Sequence, residues 1–156
     1  EIMSSDWSSD VCSSDLVVFL DPDVDVAALR VDETTPPAVP LAGAGVDANA
    51  AALVAFSAGD GSWEVRDVEV GGPLVIRTTD IYRNRDVERP GFKVAAEVDE
   101  GDSGSMVHQA DGGVGVIWAR SNLEPDQAWA VAIPELFTEP ASRAALVDTV
   151  DTGACP

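Results

Sequence analysis

The sequence predicts an all-β fold, a small barrel or sandwich, on three observations. Short runs rich in Val, Ile, Phe, Tyr and Trp recur at near-regular spacing. Clusters of Gly, Asp, Asn and Pro separate them. Helix-like composition begins only after Ile133.

Residues 1–16 stand apart. Trp7 to Leu16 is what translating the end of a common sequencing adapter yields, and Glu1-Ile2 and Ser5-Asp6 fit its flanking bases. This segment is read as a scar and excluded from fold reasoning. It has neither the basic n-region nor the apolar h-region of a signal peptide. On this reading the genuine chain begins near Val17, in the middle of a gene.

From there, Val17 to Leu20 and Val26 to Val31 are two apolar runs joined by the turn-like Asp21-Pro22-Asp23. They are expected to be the last strands of an N-terminal unit, residues 17–35. Asp32 to Pro40 carries three prolines and little to bury, which suits an extended linker over 36–48. Strands are then expected at Ala51 to Phe56, Trp63 to Val70, Leu74 to Tyr82, Phe92 to Val98, Ser105 to Gln109, Val114 to Ala119 and Trp129 to Ile133, within a unit spanning 49–138. The expected turns are Gly59-Asp60-Gly61, Gly71-Gly72, Arg89-Pro90-Gly91 and Asp111-Gly112-Gly113. Pro134 to Phe137 and Ser142 to Val147 suit helical turns, and residues 139–156 are expected to form a short helix and tail.

Composition narrows the function classes. A formal net charge of −19 with nine Lys and Arg argues against nucleic acid or anionic membrane as a partner, because either repels such a surface. Hydrophobic content of 46% supports a folded core over disorder. No run approaches the roughly 20 apolar residues of a membrane span. Cys12 lies in the adapter-like segment, which leaves Cys155 with either a free thiol or a partner outside the sequence. One His, one genuine Cys and scattered acids give no metal-ligand spacing, and the paired glycines lack a phosphate-loop context, so no metal and no cofactor is expected.

The chemistry-bearing stretch is Gly101-Asp102-Ser103-Gly104-Ser105. A serine hydroxyl is a poor nucleophile unless a base takes its proton and N–H donors hold the oxyanion it creates. In a tight turn the Gly101 and Ser103 amides can point into one space beside the Ser103 hydroxyl, while the glycines permit unusual dihedrals and close approach of a substrate. The plain alternative is an ordinary Gly/Asp/Ser turn between strands.

Gly-Asp-Ser-Gly resembles the nucleophile turn of the trypsin-like (chymotrypsin-fold) serine proteases, and Asp25-Val26-Ala27-Ala28-Leu29-Arg30-Val31 resembles their aspartate strand, in the same order. Thr79 to Tyr82, Val87 to Gly104, Gly115 to Trp118 and Gly153-Ala154-Cys155 resemble, more closely, the membrane-anchored periplasmic acid-resistance (MarP-type) proteases of actinobacteria. The sequence departs from that pattern at Ser105-Met106, where Gly-Pro is usual. The resemblance implies the C-terminal six-stranded barrel of a double barrel, with a remnant of the N-terminal barrel and a short C-terminal helix. It implies Ser103 as nucleophile and Asp25 as the residue orienting a catalytic histidine, with Asp23 a competitor. It also implies a disulfide from Cys155 to a cysteine upstream of the barrels, an extracytoplasmic location, and N-terminal membrane helices in the intact protein.

The base is missing. The lone histidine, His108, lies five residues past Ser103 on the next strand, about 16 Å along the chain, and the family's base precedes the aspartate. The chain as written is therefore expected to be inactive. Asp102 needs a buried cationic or N–H partner that the sequence does not identify. Glu97 to Glu100 and Trp118-Ala119-Arg120 are expected to wall the specificity pocket. Glu97 turned inward favours basic substrate residues, whereas strand alternation can equally turn it outward. The leading expectation is a serine endopeptidase acting on protein or peptide. The rivals are a non-catalytic β-barrel binding module and a secreted or chaperone-type trypsin-like protease without membrane helices.

Overall fold

The computed structural model describes residues 16–30, 40–57, 62–137 and 150. Nine strands follow in chain order: β1 Leu16–Asp21, β2 Val26–Arg30, β3 Ala52–Ser57, β4 Trp63–Val70, β5 Leu74–Thr79, β6 Asp86–Ala95, β7 Met106–Gln109, β8 Gly112–Arg120 and β9 Gln127–Ala132. A 3-10 turn, Pro134–Leu136, follows β9. Leu16, the last residue of the adapter-like segment, is the first of β1. The expected turn at Gly59-Asp60-Gly61, the second expected helical turn, the tail and Cys155 all fall outside the described residues.

Strands β3 to β9 form one sheet in the order β4-β3-β7-β8-β9-β6-β5, and an added pairing of β4 with β6 turns it into a ring. Six strands close that ring, with Glu69 opposite Ala95 and Val70 opposite Val94, while β5 pairs with the first half of β6. This is the six-stranded barrel. Its interior is built by period-2 alternation: Ala52, Val54 and Phe56 from β3, Phe92 and Val94 from β6, Val107 from β7, and Ala128, Ala130 and Ala132 from β9. The run of alanines on β9 leaves room for the two phenylalanine rings, the kind of large-small pairing by which a narrow barrel reaches interior density.

The run expected as Leu74 to Tyr82 ends at Thr79, and the expected turn at Arg89-Pro90-Gly91 is strand. The real reversal is Ile81–Arg85, held by the buried Asp80, whose carboxylate accepts from the Asn84 amide at 2.7 Å. Pro90 and Gly91 instead mark where β6 passes from β5 to β9: Gly91 lies opposite both Leu74 and Val131. A Cβ there would stand 2.4 Å from the Ala130 carbonyl oxygen and 2.6 Å from Ile76 Cδ1. The glycine answers a close backbone approach rather than a turn.

The expected linker is docked from residue 40 onward. Gly113 donates its amide to the Pro40 carbonyl and Ala42 donates to the Gly113 carbonyl, both at 2.9 Å, and Ala42 and Val46 are buried in the barrel core. The Gln109 side chain holds the following turn, accepting from the Asp47 amide and donating to the Asp47 and Ala50 carbonyls.

β1 and β2 form a separate antiparallel hairpin. Val24 and Val26 pack with Val131 of β9, with Phe19, Val116, Trp118 and Leu136 around them. The outer face of β9 is therefore covered, which is why Ala130, Val131 and Ala132 are buried in succession instead of alternating. The hairpin is what brings Asp25 to the barrel.

Candidate active site

The turn of Gly101 to Ser105 hangs between β6 and β7. Gly101 and Gly104 lie at φ +103° and +91°, in the left-handed region where a Cβ is costly. The amides of Asp102, Gly104 and Ser105 are each used: Asp102 donates to the Asp99 carbonyl, Gly104 to Ile117 and Ser105 to Asp102. The amides of Gly101 and Ser103 donate no hydrogen bond among the described residues, and both residues are exposed in the same turn. The turn thus presents two unspent N–H donors flanking one internally bonded amide, beside an exposed Ser103 hydroxyl.

Asp102 is the buried residue of the turn, 4% exposed. Its partner is a backbone donor: Oδ2 accepts from the Asp99 amide at 2.9 Å. The carboxylate closes the loop on itself, a local hydrogen bond of the kind Asp makes in turns.

Asp25 sits at the tip of the hairpin in a left-handed conformation, φ 64°, which Asp tolerates better than most residues. The tip is held locally. Asp21 Oδ1 accepts from the Asp23 and Val24 amides at 2.9 and 3.2 Å, and the Asp25 amide donates to the Asp21 carbonyl at 2.9 Å. Asp23, the competitor for the orienting role, is turned away into an ion pair with Arg85, with contacts of 2.5 and 2.6 Å. The hydrogen bond and charge of Asp23 hold the Arg85 guanidinium above its ordinary pKa.

Asp25 makes two side-chain contacts, both on one oxygen. Trp118 Nε1 donates to Oδ2 at 2.9 Å and Arg89 Nη1 lies 3.5 Å from the same atom. Arg89 is 1% exposed and also donates to the Asp23 and Thr79 carbonyls, with its guanidinium 4.6 Å from the Trp118 ring centroid. Sequence reading missed this arginine because Arg89-Pro90-Gly91 resembles a turn. The available signal is parity: Val87, Arg89 and Gly91 alternate along β6, and all three are buried.

Asp25, Val26 and Ala28 from the hairpin and Gly104, Met106 and Val116 from the barrel border one cleft of about 800 Å³. Asp25 and Gly104 of the 101–105 turn therefore border a shared space. His108 is elsewhere: it is half-buried on β7, paired between Leu53 and Gly113.

The expected pocket residues divide. Glu97 and Arg120 border a small cavity of about 230 Å³ with Val98, Asp99 and Ser121. Glu97 is exposed, and its carbonyl accepts from Arg66. Glu100 and Ala119 do not border that cavity, and Trp118 turns to Asp25 and Arg89 instead. The reason is a bulge: Ile117 lies opposite Ala130 and Ala119 opposite Trp129, leaving Trp118 without a partner on β9. An extra residue in one strand re-aims its side chain.

No family model matches the chain. Serine protease Rv3671c of Mycobacterium tuberculosis strain H37Rv and serine protease MT3772 of strain CDC 1551 are each 28% identical to it over 141 residues, 89% of this chain and 35% of theirs. The chain thus spans about a third of the length of these relatives. The crystal structure of the Rv3671c protease in its active form superposes with a TM-score of 0.76 at 25% identity, covering 90% of this chain and 63% of that one. An inactive form of the same protease gives 0.68 at 24% identity, covering 86% and 67%.

Proposed function

We propose, for a chain that belongs by sequence and fold with the trypsin-like serine proteases of the Rv3671c (MarP) type, a serine endopeptidase chemistry centred on Ser103. The observation that carries it is the alternation of unspent and used amides in residues 101–104, in a turn whose Gly104 borders the same cleft as Asp25. In this reading the Ser103 Oγ attacks a peptide carbonyl while a base takes its proton. The Gly101 and Ser103 amides hold the oxyanion, the amine leaves with that proton, and water releases the acyl group. Asp25 orients the base and stabilises its cationic form.

The base is an imidazole that His108 does not supply, so the chain as written does not turn over. The intact protein acts on protein or peptide substrates outside the cytoplasm and is anchored to a membrane; its likeness to the MarP-type proteases supports this. No helix among the described residues is long and apolar enough to cross a membrane.

The test is chemical rescue. A fluorophosphonate probe is expected to leave Ser103 unlabelled in the chain alone and to label it when free imidazole is added, the reaction being lost in Ser103→Ala and Asp25→Asn. Labelling without imidazole would show that the chain carries its own base. No labelling at any imidazole concentration would favour the rival reading, a binding module that keeps the turn without its chemistry.

A further inference from the structure

We propose that Trp118 and Arg89 are positioning residues for Asp25, together fixing the orientation of its carboxylate. The proposal rests on the reading of Asp25 as the orienting aspartate.

The two donors converge on a single atom. Trp118 Nε1 and Arg89 Nη1 both contact Oδ2, and no described side chain contacts Oδ1. The carboxylate is still 45% exposed. Apart from a half-turn that exchanges its equivalent oxygens, a carboxylate with one oxygen so occupied cannot rotate about its last bond without losing those contacts, so the other oxygen is left as the acceptor for an imidazole N–H. Hydrogen bonds to a charged acceptor are the stronger kind, which makes this orientation hold.

The same strand sets the nucleophile turn. The Ile117 carbonyl accepts from the Gly104 amide and the Ile117 amide donates to the Ser105 carbonyl, both at 2.8 Å. The next residue is Trp118. Ile117 therefore grips the turn that holds Ser103 through its backbone, while Trp118 grips Asp25 through its side chain. In a regular strand this ladder would continue through Trp118. The bulge removes Trp118 from pairing with β9 and frees its indole to reach the hairpin. Two consecutive residues of β8 thus fix the relative placement of aspartate and serine, which lie in separate turns.

Arg89 secures the other side. Its three hydrogen bonds are to the Asp23 carbonyl at 2.6 Å, the Thr79 carbonyl at 3.0 Å and Asp25 Oδ2, so it ties the hairpin tip to the end of β5. Its guanidinium stacks on the Trp118 ring and holds the indole in the plane that points Nε1 at Asp25. Two buried or half-buried side chains on different strands, packed on each other, leave the carboxylate one orientation.

The experiment uses two readouts on the chain as it stands. In an amide and indole NMR spectrum, the Trp118 Nε1–H resonance, assigned by its loss in Trp118→Phe, is expected to lie downfield of that of Trp63, which is 70% exposed. It should move toward the Trp63 value in Asp25→Gly, a substitution that the left-handed backbone accepts. In the imidazole-dependent labelling of Ser103, Trp118→Phe keeps an aromatic ring against Arg89 but lacks the donor. It is expected to label about tenfold more slowly than the unsubstituted chain, the loss of one hydrogen bond to a charged group. A Trp118 resonance unmoved by Asp25→Gly overturns the proposal, and so does Trp118→Phe labelling as fast as the unsubstituted chain. If imidazole rescues no labelling in the unsubstituted chain, the protease reading falls, and the indole shift alone decides whether Trp118 holds Asp25.

Discussion

Trp118 Nε1 donates to Asp25 Oδ2 at 2.9 Å, across 93 positions of sequence and between two separate sheets. Around this contact the hairpin and the barrel become one site. It depends on Arg89, which packs against the Trp118 ring and bonds the backbone on either side of the joint.

Replacing Arg89 by Met is expected to destabilise the fold by about 3 kcal/mol, because it leaves the Asp23 and Thr79 carbonyls without their donor and one face of Trp118 unpacked. Urea unfolding measures the loss. Hydrogen exchange should show the β1–β2 hairpin amides opening first, since the joint fails before the barrel. Uniform exchange across hairpin and barrel would refute the latch.

Gly91→Ala is expected to cost about 2 kcal/mol or more, because the added methyl meets the Ala130 carbonyl and the Ile76 side chain where β6 changes partner. Gly72→Ala meets nothing within 4 Å and should change stability by no more than about 0.5 kcal/mol. The difference in urea midpoint between the two variants checks the claim.

In the turn that carries Ser103, Asp102→Ala is expected to cost about 1–3 kcal/mol by stranding the Asp99 amide. Asp102→Asn keeps an acceptor oxygen and should cost less. Exchange of the Asp99 amide reads this directly: fast in Asp102→Ala, slow in Asp102→Asn.

His108→Asn should leave imidazole-dependent labelling of Ser103 unchanged, because His108 sits in the β7 ladder between Leu53 and Gly113 and outside the cleft that Asp25 borders. A rate that falls with this substitution would assign His108 a part in the chemistry.

Local pattern determined a good deal by itself. Short β-rich runs bounded by Gly, Asp and Asn made β3, β4, β7, β8 and β9 legible within a few positions, since residue type and turn punctuation are local properties of the chain. Gly-Asp-Ser-Gly announced a turn able to leave amides free, because glycine's dihedral freedom belongs to the residue itself. Asp25 stood out only through the resemblance of Asp25 to Val31 to the aspartate strand of the trypsin-like proteases.

Tertiary structure alone decided the rest. Pro90 and Gly91 read as a turn because local chemistry cannot distinguish a reversal from a strand changing neighbours, and only the approach of Ala130 and Ile76 tells them apart. Arg89 became a buried latch, and Trp118 an aspartate ligand instead of a pocket wall, through a one-residue bulge set by β9. Asp102 found its donor in Asp99 once the loop closed. Burial and partnership belong to pairs of residues distant in sequence, and a single chain read in order carries no term for them.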